Sequence, residues 1–477
     1  MPSRPKEQVT STATPPTAVR LRWLCAIAAA TFLPAIGYHY VGEEAIFPLS
    51  SLEMWYHGEW LQKTIYGGLV HHTPLFNWLI IVAADIVGWQ HMLAVARAIT
   101  IAATCATALV VAGLAWVLYA DRALAAFAAL LYLTLADVLF YRGWLAYVDP
   151  LFALLTAAAV AALWIACVRG RAGWLWTAAI ALALAILAKS LTAYVFYGLA
   201  ALVLLASDRG YRAFLLSPAS WLAHAAMLLF PLAWAYLVPG TGSQGSRLVG
   251  DILAKLTPPD FAEYLIKLVA YPAEAALRLA PALLLAGYFL WRRETRLAGD
   301  DGRHARIALW IAAVNFLPYW LAPQSAIRYL MPLYPYAALG LAWIIWKAGA
   351  RALLTAQRWL IAMIALKLVL ALIAFPVYQQ YYRGASFEKV ARQILERTAG
   401  QPLYITNDSA SGLSVAAHID LLRLPAAPLT RPPAHWESGF VVAYTPDAAL
   451  GTVVQQYRLG GTAMYLLCRG TACGGRR

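Results

Sequence analysis

Apolar runs close to 20 residues long recur from residue 21 to residue 375, separated by short polar turns. That is the length an α-helix needs to cross the hydrocarbon core of a bilayer. The pattern predicts about eleven spans, over 21–40, 95–119, 123–140, 151–167, 174–188, 191–206, 221–237, 276–291, 307–321, 330–346 and 359–375. A further apolar stretch, 74–88, has only about 15 residues and carries Asn77 and Asp85, so it reads as an interfacial or re-entrant helix. Residues 49–56 and 60–66 read as short helices lying on the same membrane face, and 239–272 as a long polar loop there. From residue 376 the pattern changes. Residues 386–398 alternate charged and apolar positions like a surface helix, and 402–406, 439–444 and 463–468 read as short strands. The expected architecture is an all-α polytopic membrane domain over 21–375 and a small extracytoplasmic α/β domain over 376–477. Residues 1–20, polar and rich in Pro and Thr, read as a disordered cytoplasmic tail.

Composition agrees with this pattern. Hydrophobic residues make up 62% and charged residues 13% of 477, and mean hydropathy is +0.63. A soluble domain carries about 25% charge. The net charge of +14 would suggest nucleic acid in a soluble protein. Here the basic residues sit in short loops between apolar runs, which is the positive-inside pattern, and no nucleic-acid-binding signature is present. Arg20 and Arg22 before the first span place the N-terminus in the cytoplasm. If 74–88 does not cross, every later basic loop is cytoplasmic and the C-terminal domain is on the outer side. If it crosses, each of those loops lands outside, so charge decides against a span. Cys25, Cys105 and Cys167 lie in apolar helices and read as packing residues. Cys468 and Cys473 are able to close a small disulfide loop if that end is extracytoplasmic.

The polar residues of this topology gather on one face. Glu43 and Glu44 follow the first span directly, where carboxylates are costly to place and often functional. Asp149, in a 141–150 loop ending Asp-Pro, opens the next span on the same face. An acid there also suits the helix dipole. Two acids on one face can supply a general base and a hydrogen-bonding or metal-binding partner. His71 and His72 are candidate ligands of a divalent metal with Glu43 or Asp149, or simply an interfacial polar turn. Lys189 and Arg328 are outer-face cations, against the positive-inside trend, and so are candidates for a lipid phosphate, as are Arg247 and Lys255 in the long loop. Lys267 in that loop reads similarly. Acids and cations on one face suit displacement of a lipid-phosphate leaving group by an acceptor hydroxyl.

The acid pair after the first span, the loop ending in His-His-Thr-Pro-Leu, Asp149-Pro150, Ala-Lys-Ser at 188–190 and Arg-Tyr-Leu-Met-Pro-Leu-Tyr-Pro at 328–335 together resemble the GT-C glycosyltransferases. The resemblance covers roughly 21–375 and points to the branch with protein O-mannosyltransferases and lipid A aminoarabinose transferases. It implies an inverting glycosyltransferase of a bacterial inner membrane. The donor would be an undecaprenyl-phosphate-linked sugar. The acceptor would be a glycolipid, a glycan or a protein on the periplasmic side. Glu43 would match the family's first acid, with Glu44 and Asp149 as the other catalytic candidates. His71 and His72 fall where the aminoarabinose transferases carry Glu and Lys, which departs from their lipid A specificity. The rival class is a transporter or lipid flippase, which would carry polar residues near helix midpoints and internal repeats. The spans here are nearly free of mid-helix charge.

Overall fold

The computed structural model describes residues 17–70, 73–238, 260–295, 297, 299, 301–381, 386–459 and 461–474. Most of the described residues up to Tyr381 are helical, and each of the eleven apolar segments falls largely on helix. In chain order the helices are α1 (Ala18–Ala30), α2 (Ile46–His57), α3 (Leu75–Val87), α4 (Met92–Tyr119), α5 (Arg122–Leu133), α6 (Asp149–Arg169), α7 (Gly173–Ala188), α8 (Thr192–Ser207), α9 (Arg209–Leu215), α10 (Pro218–Met227), α11 (Leu229–Leu237), α12 (Phe261–Arg278), α13 (Ala282–Trp291), α14 (Arg303–Leu321), α15 (Tyr334–Lys347), α16 (Ala350–Val369) and α17 (Phe375–Tyr381). Among the described residues, six helical stretches are long and apolar enough to cross a bilayer alone, and the α12–α13 pair, bent by 98°, would make a seventh. The protein is an integral membrane protein.

Local chemistry sets the helix ends. The Asp121 carboxylate accepts from the Ala123 and Leu124 N–H groups and starts α5. Pro150 in the first turn of α6, with Asp149 beside it, suits a position whose N–H groups have no helical partner. The short helix of Ile327–Leu333 leads into α15 to form the bundle's centre: 89% of the Ile327–Lys347 window is buried in protein, against 17% of Pro218–Leu237. The α14–α15 crossing is close because Gly340 has no side chain, and a Cβ there would stand 2.6 Å from Leu309.

Residues 60–66 do not form the expected helix. Lys63–Ile65 (β1) and Gly68–Val70 (β2) make an antiparallel hairpin, with Ile65 opposite Gly68. Both turn residues, Tyr66 and Gly67, have positive φ (57° and 72°), the geometry of a type I′ turn. The Glu53 carboxylate on α2 accepts from the Tyr66 N–H at 2.6 Å and the Gly67 N–H at 3.3 Å, holding Tyr66 in that unusual conformation. The end of the expected 239–272 loop, from Phe261, is also helical, as α12.

The C-terminal domain has four strands, β3 (Leu403–Ile405), β4 (Gly439–Ala443), β5 (Thr452–Leu459) and β6 (Thr462–Arg469). Their order is β3-β4-β6-β5, parallel between β3 and β4 and antiparallel elsewhere. Two helices, α18 (Phe387–Arg397) and α19 (Ala410–Arg423), pack on it. A disulfide joins Cys468 to Cys473. The domain does not stand alone. Leu49, Leu52 and Tyr66 share one apolar core with Leu413, Ala416 and Ala417. The Tyr66 hydroxyl donates to the Asn407 carbonyl at 3.1 Å, and the Tyr66 carbonyl accepts from the Arg431 N–H at 3.1 Å.

Asp420 of α19 faces this shared core. One carboxylate oxygen accepts from the Leu429 N–H at 2.8 Å and the other has no partner. Burial pushes its carboxyl up to about 8; the Leu429 N–H opposes this, the nearby Glu53 adds to it and Arg423 again opposes it. The folded state therefore binds a proton that the unfolded chain has released between roughly pH 4 and pH 8, so this group's contribution to stability falls as pH rises through that window. The expected outcome is that wild type loses thermal stability relative to Asp420→Asn as pH is raised from 5 to 8. A pH-independent difference between the two melting temperatures would contradict it.

Candidate active site

The site is built around the loop between α5 and α6. After α5, a single π-turn at Val138–Arg142 and a tight bend at Gly143 carry the chain into residues 144–148. A Cβ on Gly143 would stand 2.3 Å from the Val138 carbonyl, so the bend needs glycine. The loop then delivers Asp149, which is 5% exposed, at the start of α6.

Glu44 holds that loop to the segment after α1. One of its oxygens accepts from Arg97 Nε at 2.9 Å and the Ala146 N–H at 2.7 Å. The other accepts from Arg97 Nη2 and the Val41 N–H at 2.5 and 2.8 Å. Arg97, on α4, gives its remaining donors to the carbonyls of Ala35, Tyr38 and His39. All five guanidinium N–H groups and both carboxylate oxygens are engaged, and neither residue is exposed. Glu44, expected as a catalytic acid beside Glu43, has no free lone pair for a substrate.

Glu43 is exposed on the opposite side of the same chain segment. Its N–H donates to the Tyr147 hydroxyl at 3.1 Å, fixing its backbone on the same loop that carries Asp149. Asp149 forms an ion pair with Lys189, which stands at the end of α7. Lys189 Nζ lies 4.8 Å from the Tyr329 ring centroid and 5.6 Å from that of Phe152. Arg328 sits 5.6 Å over the Tyr329 ring and within Coulombic reach of both Asp149 and Glu43. Arg142 also acts on Asp149. Glu43, Asp149, Lys189 and Arg328 are thus brought to one end of the bundle from four separate stretches of chain.

Beside this group lies a second one that the sequence reading passed over. Asp137, 1% exposed, accepts from Arg278 Nη1 at 2.7 Å and the Tyr334 hydroxyl at 2.9 Å, and Arg142 Nε stands 3.7 Å away, an ion pair without a hydrogen bond. The combined cluster has four cations (Lys189, Arg328, Arg142, Arg278) and four carboxylates (Glu43, Asp149, Asp137 and Glu274, which accepts from Arg278 Nη2 at 2.9 Å). The signal was present in the sequence: an Asp and an Arg interrupt LADVLFYR, and an intramembrane charge is a functional hypothesis by default.

The remaining candidates fall elsewhere. Lys267 lies on α12, not in a loop, and its amine donates to the Tyr319, Trp320 and Ala322 carbonyls and the Ser325 hydroxyl, closing the end of α14. Arg247, Lys255, His71 and His72 lie outside the described residues. Among the described residues, no three His, Cys, Asp or Glu side chains gather as a metal site. Asp149, one of the acids expected to join His71 and His72 at a metal, is instead ion-paired with Lys189.

No protein-family model and no curated protein sequence matches the chain. In structure it is similar to ArnT from Cupriavidus metallidurans bound to undecaprenyl phosphate, with a TM-score of 0.70 at 16% identity over 97% of this chain and 100% of that one. It is similar to the same protein in the apo state, with a TM-score of 0.66 at 16% identity over 95% and 98% of the two chains. The chain has the ArnT fold, as the resemblance to the GT-C glycosyltransferases implies.

Removing one partner of the Arg97–Glu44 pair leaves a bare charge in the protein interior. Glu44→Ala or Arg97→Ala is expected to destabilise the detergent-solubilised protein by about 3–5 kcal/mol. Glu43→Ala, at an exposed position, is expected to change stability by less than about 0.5 kcal/mol. Thermal unfolding of the three variants checks this contrast.

Proposed function

We propose that the protein is an inverting glycosyltransferase that moves a sugar from a polyprenyl-phosphate carrier to a lipid, polysaccharide or protein acceptor on the periplasmic face of an inner membrane. The observation that carries this reading is the convergence of the exposed Glu43 with Lys189 and Arg328 around the buried Asp149. The ArnT fold supports it, because ArnT has been crystallised with undecaprenyl phosphate. The Cys468–Cys473 disulfide and the basic turns at the other end of the bundle support an outer-face site.

The chemistry follows from the charges. Glu43 takes the proton of an acceptor hydroxyl. The hydroxyl oxygen attacks the anomeric carbon of the sugar from the face opposite the phosphate. The bond between that carbon and the phosphate oxygen breaks, and its electron pair leaves on the carrier phosphate. Lys189 and Arg328 meet the charge that develops there, in surroundings where water screens it poorly. Asp149 holds Lys189 through their ion pair, and the Tyr329 ring supports both cations. Arg247 and Lys255 in the 239–259 stretch are further candidates for the phosphate.

Labelled polyprenyl-phosphate sugars, supplied with a cell-envelope extract, test this directly. Glu43→Gln is expected to lower the transfer rate by roughly 10²–10⁴ while leaving stability unchanged. Lys189→Ala is expected to lower it by roughly 10²–10³. Asp149→Asn is expected to raise the KM for the donor by loosening Lys189. Full transfer by Glu43→Gln would overturn the assignment of the base. Lipid translocation in vesicles without transfer from any donor would overturn the enzyme reading in favour of a flippase.

A further inference from the structure

At the other end of α4 from the site, a cavity of about 680 Å³ opens between α1, α4 and α5. We propose that it binds one anionic phospholipid of the cytoplasmic leaflet, with the phosphate between Arg22 and Arg122 and an acyl chain along the small-residue wall.

Three observations carry this. The first is shape. The cavity runs from Trp116 back to Cys105 on α4 and from Arg122 to Leu133 on α5, eleven residue steps along each helix. At 1.5 Å per residue that is roughly 16 Å. The hydrocarbon core is about 30 Å thick, so the cleft is one leaflet deep. Small residues, Ala26, Ala29, Ala108, Ala112, Gly113 and Ala126, make up much of its wall and leave the space between the helices unfilled.

The second is charge. The lining has two cations, Arg22 and Arg122, both at the mouth. Neither pairs with a carboxylate among the described residues. The adjacent Asp121 turns a carboxylate oxygen to the Ala123 and Leu124 N–H groups and forms no ion pair with Arg122. Arg122 lies 5.7 Å from the Trp116 ring, an aromatic and guanidinium pairing that suits the headgroup level of a membrane. A zwitterionic headgroup would bring its own cation against two arginines that pair with no carboxylate among the described residues, so an anionic one is the better complement.

The third is position. Nineteen residues of α4 separate Trp116 from Arg97, the residue that organises the site, which is roughly 28 Å along the helix. The mouth therefore faces the leaflet opposite the site. A carrier phosphate at Lys189 and a phospholipid phosphate at Arg22 and Arg122 would be two different ligands.

Native mass spectrometry of the full-length protein, delipidated and titrated with phosphatidylglycerol or phosphatidylcholine, tests the proposal. Wild type is expected to retain one phosphatidylglycerol at least tenfold more tightly than phosphatidylcholine. The double variant Arg22→Gln, Arg122→Gln is expected to lose that preference. Arg169→Gln, which removes another basic residue at a helix end, is expected to keep it. Gly113→Leu is expected to abolish retention of the lipid; a Cβ at Gly113 meets nothing within 4 Å, so the side chain enters the open cleft without distorting the helix. Equal affinity of wild type for the two lipids would overturn the proposal. So would unchanged retention in the double variant or in a Gly113→Leu protein that melts like wild type.

Discussion

The end of the bundle that carries the acid and cation cluster depends on one buried ion pair. Taking a carboxylate and a guanidinium out of water costs several kcal/mol per ion, and mutual attraction alone does not reliably offset that. Arg97 and Glu44 meet the cost by satisfying every donor and acceptor they carry, and the partners they choose are mostly backbone groups. Those backbone groups belong to the segment after α1 and to the loop before α6. The pair therefore sets the separation of Glu43, on the first, from Asp149, on the second. A hydrophobic pair of similar volume would fill the space but would fix neither loop.

Around that anchor the site is assembled from helix ends. Asp149 opens one helix, Lys189 closes another, and Arg328 lies in the short helix that leads into α15. Side chains at such places are held by rigid elements on one side and have open space on the other. The aromatic rings of Phe152 and Tyr329 take the place of water beside the Lys189 amine. Asp137, Arg278 and Tyr334 extend the same arrangement further into the bundle.

Much of this was legible from the chain, for physical reasons. A span must hide some 20 residues of backbone from lipid, so the helices announce themselves by length. Basic loops mark one side, and the acids and cations left on the other side pointed to Glu43, Asp149, Lys189 and Arg328. What was illegible depended on distant partners. Glu43 and Glu44 are neighbours of the same type, and it is Arg97, 53 residues from Glu44, that gives them different surroundings. Residues 60–66 are amphipathic enough to pass for a helix, and become a hairpin because Glu53 on a neighbouring helix binds the Tyr66-Gly67 turn. Asp137 and Arg142 sit in a stretch that reads as the end of a span, and their partner Arg278 lies 141 residues from Asp137.

The core that α2 and the hairpin share with the C-terminal domain bears on how such a protein can diversify. A domain attached by a linker can be traded between relatives as a cassette. Here the hydrogen bond from Tyr66 to Asn407 joins positions 341 residues apart, and the two stretches bury each other's apolar faces. Neither half is a complete heritable unit. A new C-terminal domain would have to arrive with a matching α2 and hairpin, so its surface is expected to change by gradual drift in place more readily than by recombination.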